Sequence, residues 1–128
     1  MTTLCIDYGT SHLGLAVAEV MLATPLGELG YRDDNYVFTE LGRVVQDHNV
    51  KLIVIGLPEG KLVEKIKNFG TRLERALMIP VVYYPETLST QEAIAALREG
   101  GASRAKLKND HTYAACLILE DYLEAQQS

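Results

Sequence analysis

Three carboxylates stand out in the 128-residue chain. Asp7 interrupts an apolar run, Glu86 follows the short segment "VVYYP", and Asp110 precedes the long apolar stretch "YAACLIL". A buried carboxylate without a partner is costly or is forced to take up a proton, so something has to wait for the charge on Asp7. Two or three carboxylates turned into one cleft repel each other unless a divalent cation neutralises them. Mg²⁺ suits such sparse oxygen ligation, with water and phosphate oxygens completing its shell. A phosphodiester supplies those oxygens, and two ions about 4 Å apart can activate a water and stabilise the leaving oxygen.

Each of these groups also has a plainer role open to it. Asp7 could serve a turn by bonding the amides of Gly9 to Ser11, and Glu86 could be a solvated loop charge. Asp110 is a suitable N-cap for a helix, and a capping carboxylate keeps lone pairs for a metal. Arg98, Arg104, Lys106 and Lys108 cluster around the Gly- and Lys-rich stretch from Glu99 to Asn109, which reads as a loop just ahead of Asp110. Such a basic loop suits phosphate contacts, which ask for charge rather than fixed geometry, or it is simply solvated. Lys61, Lys65 and Lys67 read as the wet side of a helix, and Glu59 is a fallback ligand near the end of a central strand. His48 reads as a boundary residue and His12 as part of a turn. His111 is the one histidine near the carboxylates, but adjacent helical positions point about 100° apart, which turns it away from Asp110.

The elements that must position these groups follow from periodicity. With Gly9 to His12 as the turn, Tyr8 faces Leu13, Asp7 faces Gly14, Ile6 faces Leu15 and Cys5 faces Ala16. One side of this hairpin then carries Leu4, Ile6, Tyr8, Leu13, Leu15 and Val17. The other carries Cys5 and Asp7 beside Gly14, Ala16 and Ala18, so small side chains leave room over Asp7. A third strand around Ala23 to Tyr31, broken by Pro25 and two glycines, suits a sheet edge. Val37, Phe38, Leu41, Val44, Val45 and His48 recur at helical spacing. "KLIVIG" reads as a buried strand ending at Gly56. Leu62, Ile66, Phe69, Leu73 and Leu77 define a second helix, and "VVYY" a further strand. Ser89 with Glu92 forms a capping box for a third helix stopping at Gly100-Gly101. Asp110 to Gln126 forms the last, apolar nearly all round and therefore expected to be buried. Strands in meander order followed by alternating helices and strands imply a mixed α/β sheet of five strands, antiparallel and then parallel, flanked by helices. That is the layout of a ribonuclease H-like fold, in a single domain over residues 1–128.

Bulk properties narrow the function classes. At 48% hydrophobic the chain can bury one core,. A formal net charge of −5 gives no global attraction to nucleic acid or to an anionic membrane, so nucleic-acid binding must rest on a local patch or on metal ions,. Cys5 and Cys116 lie far apart with no metal-ligand spacing and read as buried free thiols in a reducing compartment. No secretory h-region precedes the first strand and no apolar run reaches membrane-spanning length, so a cytoplasmic protein is expected.

"IDYGTSHLGLAVAE", "IVIGLP", "PVVYYPETLST" and "GASRAKLKNDHTYAACLILEDYL", in this order and over nearly the whole chain, resemble the YqgF (RuvX) family. That family is similar to the Holliday junction resolvases of the ribonuclease H-like superfamily, and its members are described as junction resolvases and as nucleases that mature the precursor of small-subunit ribosomal RNA. The resemblance implies a Mg²⁺- or Mn²⁺-dependent cut in structured RNA or branched DNA. It assigns Asp7, Glu86 and Asp110 as the catalytic, metal-holding set. Where the family shows Asp-Glu-Arg, this chain has Pro85-Glu86-Thr87, and where it shows a basic residue ahead of the second strand, this chain has His12. An arginine fork for phosphate is replaced by neither.

Two functions from different classes fit. The first is a metal-dependent nuclease that grips its substrate through the loop around Arg104 to Lys108. The second is a catalytically inactive nucleic-acid or ribosome-associated binding module of the same fold, which would bind without metal and without Asp7. A third resemblance, of "IDYGTSHLG" to the first phosphate loop of the actin and Hsp70 ATPases, meets the objection that those proteins enclose ATP between two such domains. Cutting a four-way junction takes two active sites, which favours a homodimer.

Overall fold

The computed structural model describes residues 1–99 and 110–127, with the side chains of residues 89, 97–99 and 110 outside that description. Its elements run β1 (Thr2–Tyr8), β2 (His12–Ala18), β3 (Thr24–Gly30), α1 (Asp34–His48), β4 (Val50–Leu57), α2 (Leu62–Leu77), β5 (Val81–Pro85), α3 (Leu88–Glu99) and α4 (Asp110–Gln126). The five strands form one sheet in the order β3-β2-β1-β4-β5. β2 is antiparallel to β1 and to β3, whereas β1, β4 and β5 are mutually parallel neighbours. The strand ends at Tyr8, Gly30, Leu57 and Pro85 therefore share one edge of the sheet, and α1, α2 and α3 all begin from it.

The hairpin register is the one expected: Tyr8 pairs with Leu13, Asp7 with Gly14, Ile6 with Leu15 and Cys5 with Ala16. β3 is an edge strand, and its pairing with β2 slips between Leu15 and Ala16, next to Pro25 and to Gly27 at φ 106°. A residue with positive φ at an edge is a natural place for a bulge, and glycine takes it without strain.

Period-two alternation then builds two unequal layers. On one face Leu4, Ile6, Tyr8, Leu13, Leu15 and Val17 pack with Val37 and Leu41 of α1 and with Ile66, Phe69 and Leu73 of α2. Asp33 starts α1 by accepting the Tyr36 amide at 2.8 Å,. Asn49 ends it in the left-handed region at φ 54°, a conformation that asparagine tolerates,. Phe69 lies at the centre of this layer, with ring contacts to Tyr8, Tyr31 and Phe38 at 5.1–6.0 Å. On the other face Cys5, Ala16, Ala18 and Val54 pack with Ala115, Ile118 and Leu119 of α4.

Two expectations are corrected. α3 begins at Leu88, which puts Ser89 inside the helix, and the cap is Thr87: its hydroxyl accepts the Thr90 amide at 3.1 Å and donates to the Thr90 hydroxyl at 2.9 Å. Thr87 rather than Ser89 serves because the chain leaves β5 only two residues earlier and turns there. α4 is not buried all round. Ala115, Ile118 and Leu119 face the sheet and Ala114 is buried too, but Tyr113 is 41% exposed, because among the described residues the helix is covered by α3 and the sheet and its outer side is not. The stop at Gly100-Gly101 and the stretch up to Asn109 fall outside the described residues.

Candidate active site

The sheet edge that collects the ends of β1, β4 and β5 opens into a cleft of about 630 Å³ whose lining includes Asp7, His12, Glu86, Gln91 and His111. Asp7 enters it from β1, on the small-residue face. Glu86 enters directly after β5, its amide donating to the Leu57 carbonyl at 3.0 Å, so it is tied to the end of β4. The side-chain amide of Gln91, one turn into α3, donates to the Glu86 carbonyl at 3.1 Å and fixes that corner a second time.

α4 approaches the same point from the other end of the chain. Gly14 permits this: a Cβ built on it would lie 2.0 Å from the His111 carbonyl oxygen and 2.6 Å from the Thr112 amide. Any side chain there would hold the helix off the sheet. Asp7, Gly14 and Glu28 occupy one row across β1, β2 and β3, and the first turn of α4 lies on that row. Glu28 Oε2 accepts the His111 amide at 3.1 Å, supplying an acceptor to one of the otherwise unpaired N–H groups at the helix start,. The His111 imidazole reaches Asp7, with Nδ1 2.7 Å from Oδ2. An ionised carboxylate only accepts, so Nδ1 carries the hydrogen.

The turn is closed by the backbone itself, the Gly9 amide donating to the His12 carbonyl at 2.9 Å. Asp7 is left to face α4, with its side chain 14% exposed. Beneath it the Cys5 thiol is held well above its usual range, first by complete burial and then by the charges of Asp7, Cys116 and Glu86. Cys5 is therefore an inert packing residue, and it feels Asp7 and Glu86 together. Cys116, the other free thiol, is also pushed up, by burial and by the charge of Glu120.

Of the expected site residues, Asp7 and Glu86 share the cleft. Asp110 opens α4 immediately before His111, with its side chain outside the described residues. Arg104, Lys106 and Lys108 lie outside the described residues, as does the side chain of Arg98. His111, expected to turn away, instead contacts Asp7. Glu28 was not singled out from sequence at all; its position opposite Gly14 becomes visible only once the β2–β3 register is known.

The donor set suits a hard divalent cation, with two carboxylates in one open cleft and polar backbone around it. Among the described residues no group of three His, Cys, Asp or Glu side chains is close enough to hold a metal ion by itself. Asp7 and Glu86 would supply two oxygen donors, and the start of α4 brings Asp110 to the same region. Thr87, where the related family carries arginine, is engaged in capping α3 and, through Thr90, in the contact to Asp121 of α4. No helix among the described residues is long and apolar enough to cross a membrane.

A candidate pre-16S rRNA nuclease of Dictyoglomus thermophilum is 33% identical over 136 residues, covering 98% of this chain and 96% of its own length. One of Caldanaerobacter subterraneus is 33% identical over 138 residues, covering 100% of this chain and 99% of its own. Among solved structures, Thermus thermophilus RuvC in complex with a Holliday junction superposes at a TM-score of 0.66 with 18% identity, over 100% of this chain and 96% of that one. Fowlpox virus resolvase with its junction DNA does so at 0.66 with 12% identity, over 100% of both chains. The fold is thus the ribonuclease H-like one that the element order implied. The RuvX family profile, described as Holliday junction resolvase, matches residues 1–125, and the chain belongs to that family.

Proposed function

We propose that this chain is a metal-dependent nuclease that hydrolyses a phosphodiester bond of structured nucleic acid at the cleft between β1, β5 and the start of α4. The observation that carries this reading is the meeting of Asp7 and Glu86 in one open cleft, on the side of the sheet where small residues admit α4 and with it Asp110. Asp7, Glu86 and Asp110 are the residues that would hold Mg²⁺ or Mn²⁺, and the bound ions would supply an activated water and charge stabilisation for the leaving oxygen.

The protein's own contribution is placement. β1 fixes Asp7 through hydrogen bonding to strands on both sides, and Glu86 is held by backbone bonds to β4 and α3. The row of Asp7, Gly14 and Glu28 sets the depth of α4. Preorganisation of this kind lets charge stabilisation act without rearrangement when the reaction occurs. The relatives' names favour a ribosomal RNA precursor as substrate, and the structural likeness to resolvases keeps a branched DNA junction beside it. Positive charge for the substrate backbone would come from Arg98, Arg104, Lys106 and Lys108.

The test is Asp7→Asn. Asparagine keeps a carbonyl oxygen to accept from His111, so the variant should melt at or above the wild-type temperature without metal. It should lose both the rise in melting temperature on Mn²⁺ addition and the cleavage of structured RNA and junction DNA. A variant that still cleaves would sink the assignment. Salt-sensitive nucleic-acid binding that persists without metal and without Asp7, in a protein that cuts nothing, would make the chain a binding module instead.

A further inference from the structure

We propose that His111 is a positioning residue for the metal site, holding Asp7 through its Oδ2 so that Oδ1 is the oxygen turned to the cation. This rests on the nuclease reading above and extends it to a residue outside the carboxylate set.

The imidazole is placed by several independent restraints. Its Nδ1 lies 2.7 Å from Asp7 Oδ2, its own amide is held by Glu28 Oε2 at 3.1 Å, and its carbonyl presses against Gly14. The far edge of the ring packs onto Gly9, where an added Cβ would lie 2.9 Å from both Cε1 and Nε2. Residues of β1, β2, β3 and the hairpin turn thus converge on one histidine, whose side chain is 30% exposed and whose partner carboxylate is 14% exposed. A ring held at two of its edges, on a backbone held at its amide and carbonyl, costs little further ordering when a ligand arrives, and a partly buried charge-assisted hydrogen bond orients a carboxylate more firmly than water does. A carboxylate has two oxygens with two lone-pair sites each; engaging Oδ2 leaves Oδ1 as the donor with a defined direction. Groups that hold a metal's ligands in this way commonly change affinity or activity when removed, by about 10- to 100-fold.

The experiment compares His111→Ala, His111→Asn and His111→Gln with wild type and Asp7→Asn, by calorimetric titration of Mn²⁺, the spectrum of bound Mn²⁺, and single-turnover cleavage. In asparagine the amide nitrogen lies as many bonds from Cα as Nδ1 does, whereas in glutamine it lies one bond further. Expected are Mn²⁺ binding weakened about 10- to 100-fold in His111→Ala, with a fall in kcat and little change in KM for the nucleic acid, and recovery of most of both losses in His111→Asn but not in His111→Gln. Wild-type Mn²⁺ affinity in His111→Ala would overturn the proposal, and so would equal losses in His111→Ala and His111→Asn, which would make the ring itself a ligand. Should His111→Ala fail to fold, the order of Asn and Gln still decides: Gln matching wild type while Asn is deficient overturns it. The nuclease reading fails separately, through Asp7→Asn that retains Mn²⁺ binding and cleavage.

Discussion

The two faces of the sheet are made from alternate residues of the same strands, yet they do different work. One face carries Leu4, Ile6, Tyr8, Leu13, Leu15 and Val17, and those side chains keep α1 and α2 at side-chain distance while filling the space between. The other carries Cys5, Asp7, Gly14, Ala16 and Ala18, and there the backbone of α4 lies against the backbone of β2. Large residues build stability by excluding water over a wide area. Small ones give up that area and gain proximity, which is how a histidine at the start of the last helix comes to touch an aspartate in the first strand. The candidate site sits where side-chain volume in the sheet is least.

The contrast can be broken from either side. Phe69→Ala, on the large-residue face, removes the ring that contacts Tyr8, Tyr31 and Phe38 and should cost about 4 kcal/mol in urea unfolding. It should leave the relative rise in melting temperature with Mn²⁺ intact, because the Phe69 ring packs with Tyr8, Tyr31 and Phe38 and is not among the residues that line the cleft. Gly14→Ala should cost about 3 kcal/mol, since the added carbon overlaps the His111 backbone. Unlike Phe69→Ala it should also abolish the Mn²⁺ response, and a Gly14→Ala protein with a normal response would show that the close approach of α4 is not needed. The smallest effect is expected at the rim of the large-residue face. There Tyr31 donates to Asp34, which also binds Arg72 with Nε–Oδ2 at 2.6 Å. Burial, followed by the bond to Asp34, pushes the Tyr31 phenol up to about 12. Its contribution is complete below the ordinary phenol value near 10. It is lost as pH rises toward 12, because the unfolded chain ionises first. Stability should therefore decline across that alkaline window, and Tyr31→Phe should flatten the decline when unfolding is followed at several pH values.

Much of this was legible in the sequence because it follows from short-range rules. The hairpin register, the small-residue stripe over Asp7, the edge character of the strand with Pro25, and the helices of Val37, Leu41, Ile66, Phe69 and Leu73 all come from periods of two or 3.6 residues. What was not legible depends on elements far apart in the chain. His111 was expected to turn aside because helical spacing was reckoned from Asp110, but the tilt of α4 is set by Gly14 and Glu28. Glu28 had no signal of its own, since a bulge beside Pro25 shifts the alternation of β3. α4 is apolar on most sides, so its sequence carries no stripe from which to read that Tyr113 faces outward. Thr87 and Ser89 were both suitable caps two residues apart, and the turn out of β5 chose between them.

The bond between Asp7 and His111 joins positions 104 residues apart. A contact of that span is among the slowest to close on loop entropy alone, and during synthesis β1 must wait for nearly every other described element before its aspartate meets a partner. A chain that stops after β5 lacks Asp110 and His111, and with them Ala115, Ile118 and Leu119, which cover the small-residue face. On the nuclease reading proposed above, arrival of α4 would complete the fold and the proposed centre together, and a copy stopped short of α4 would lack the capacity to cut.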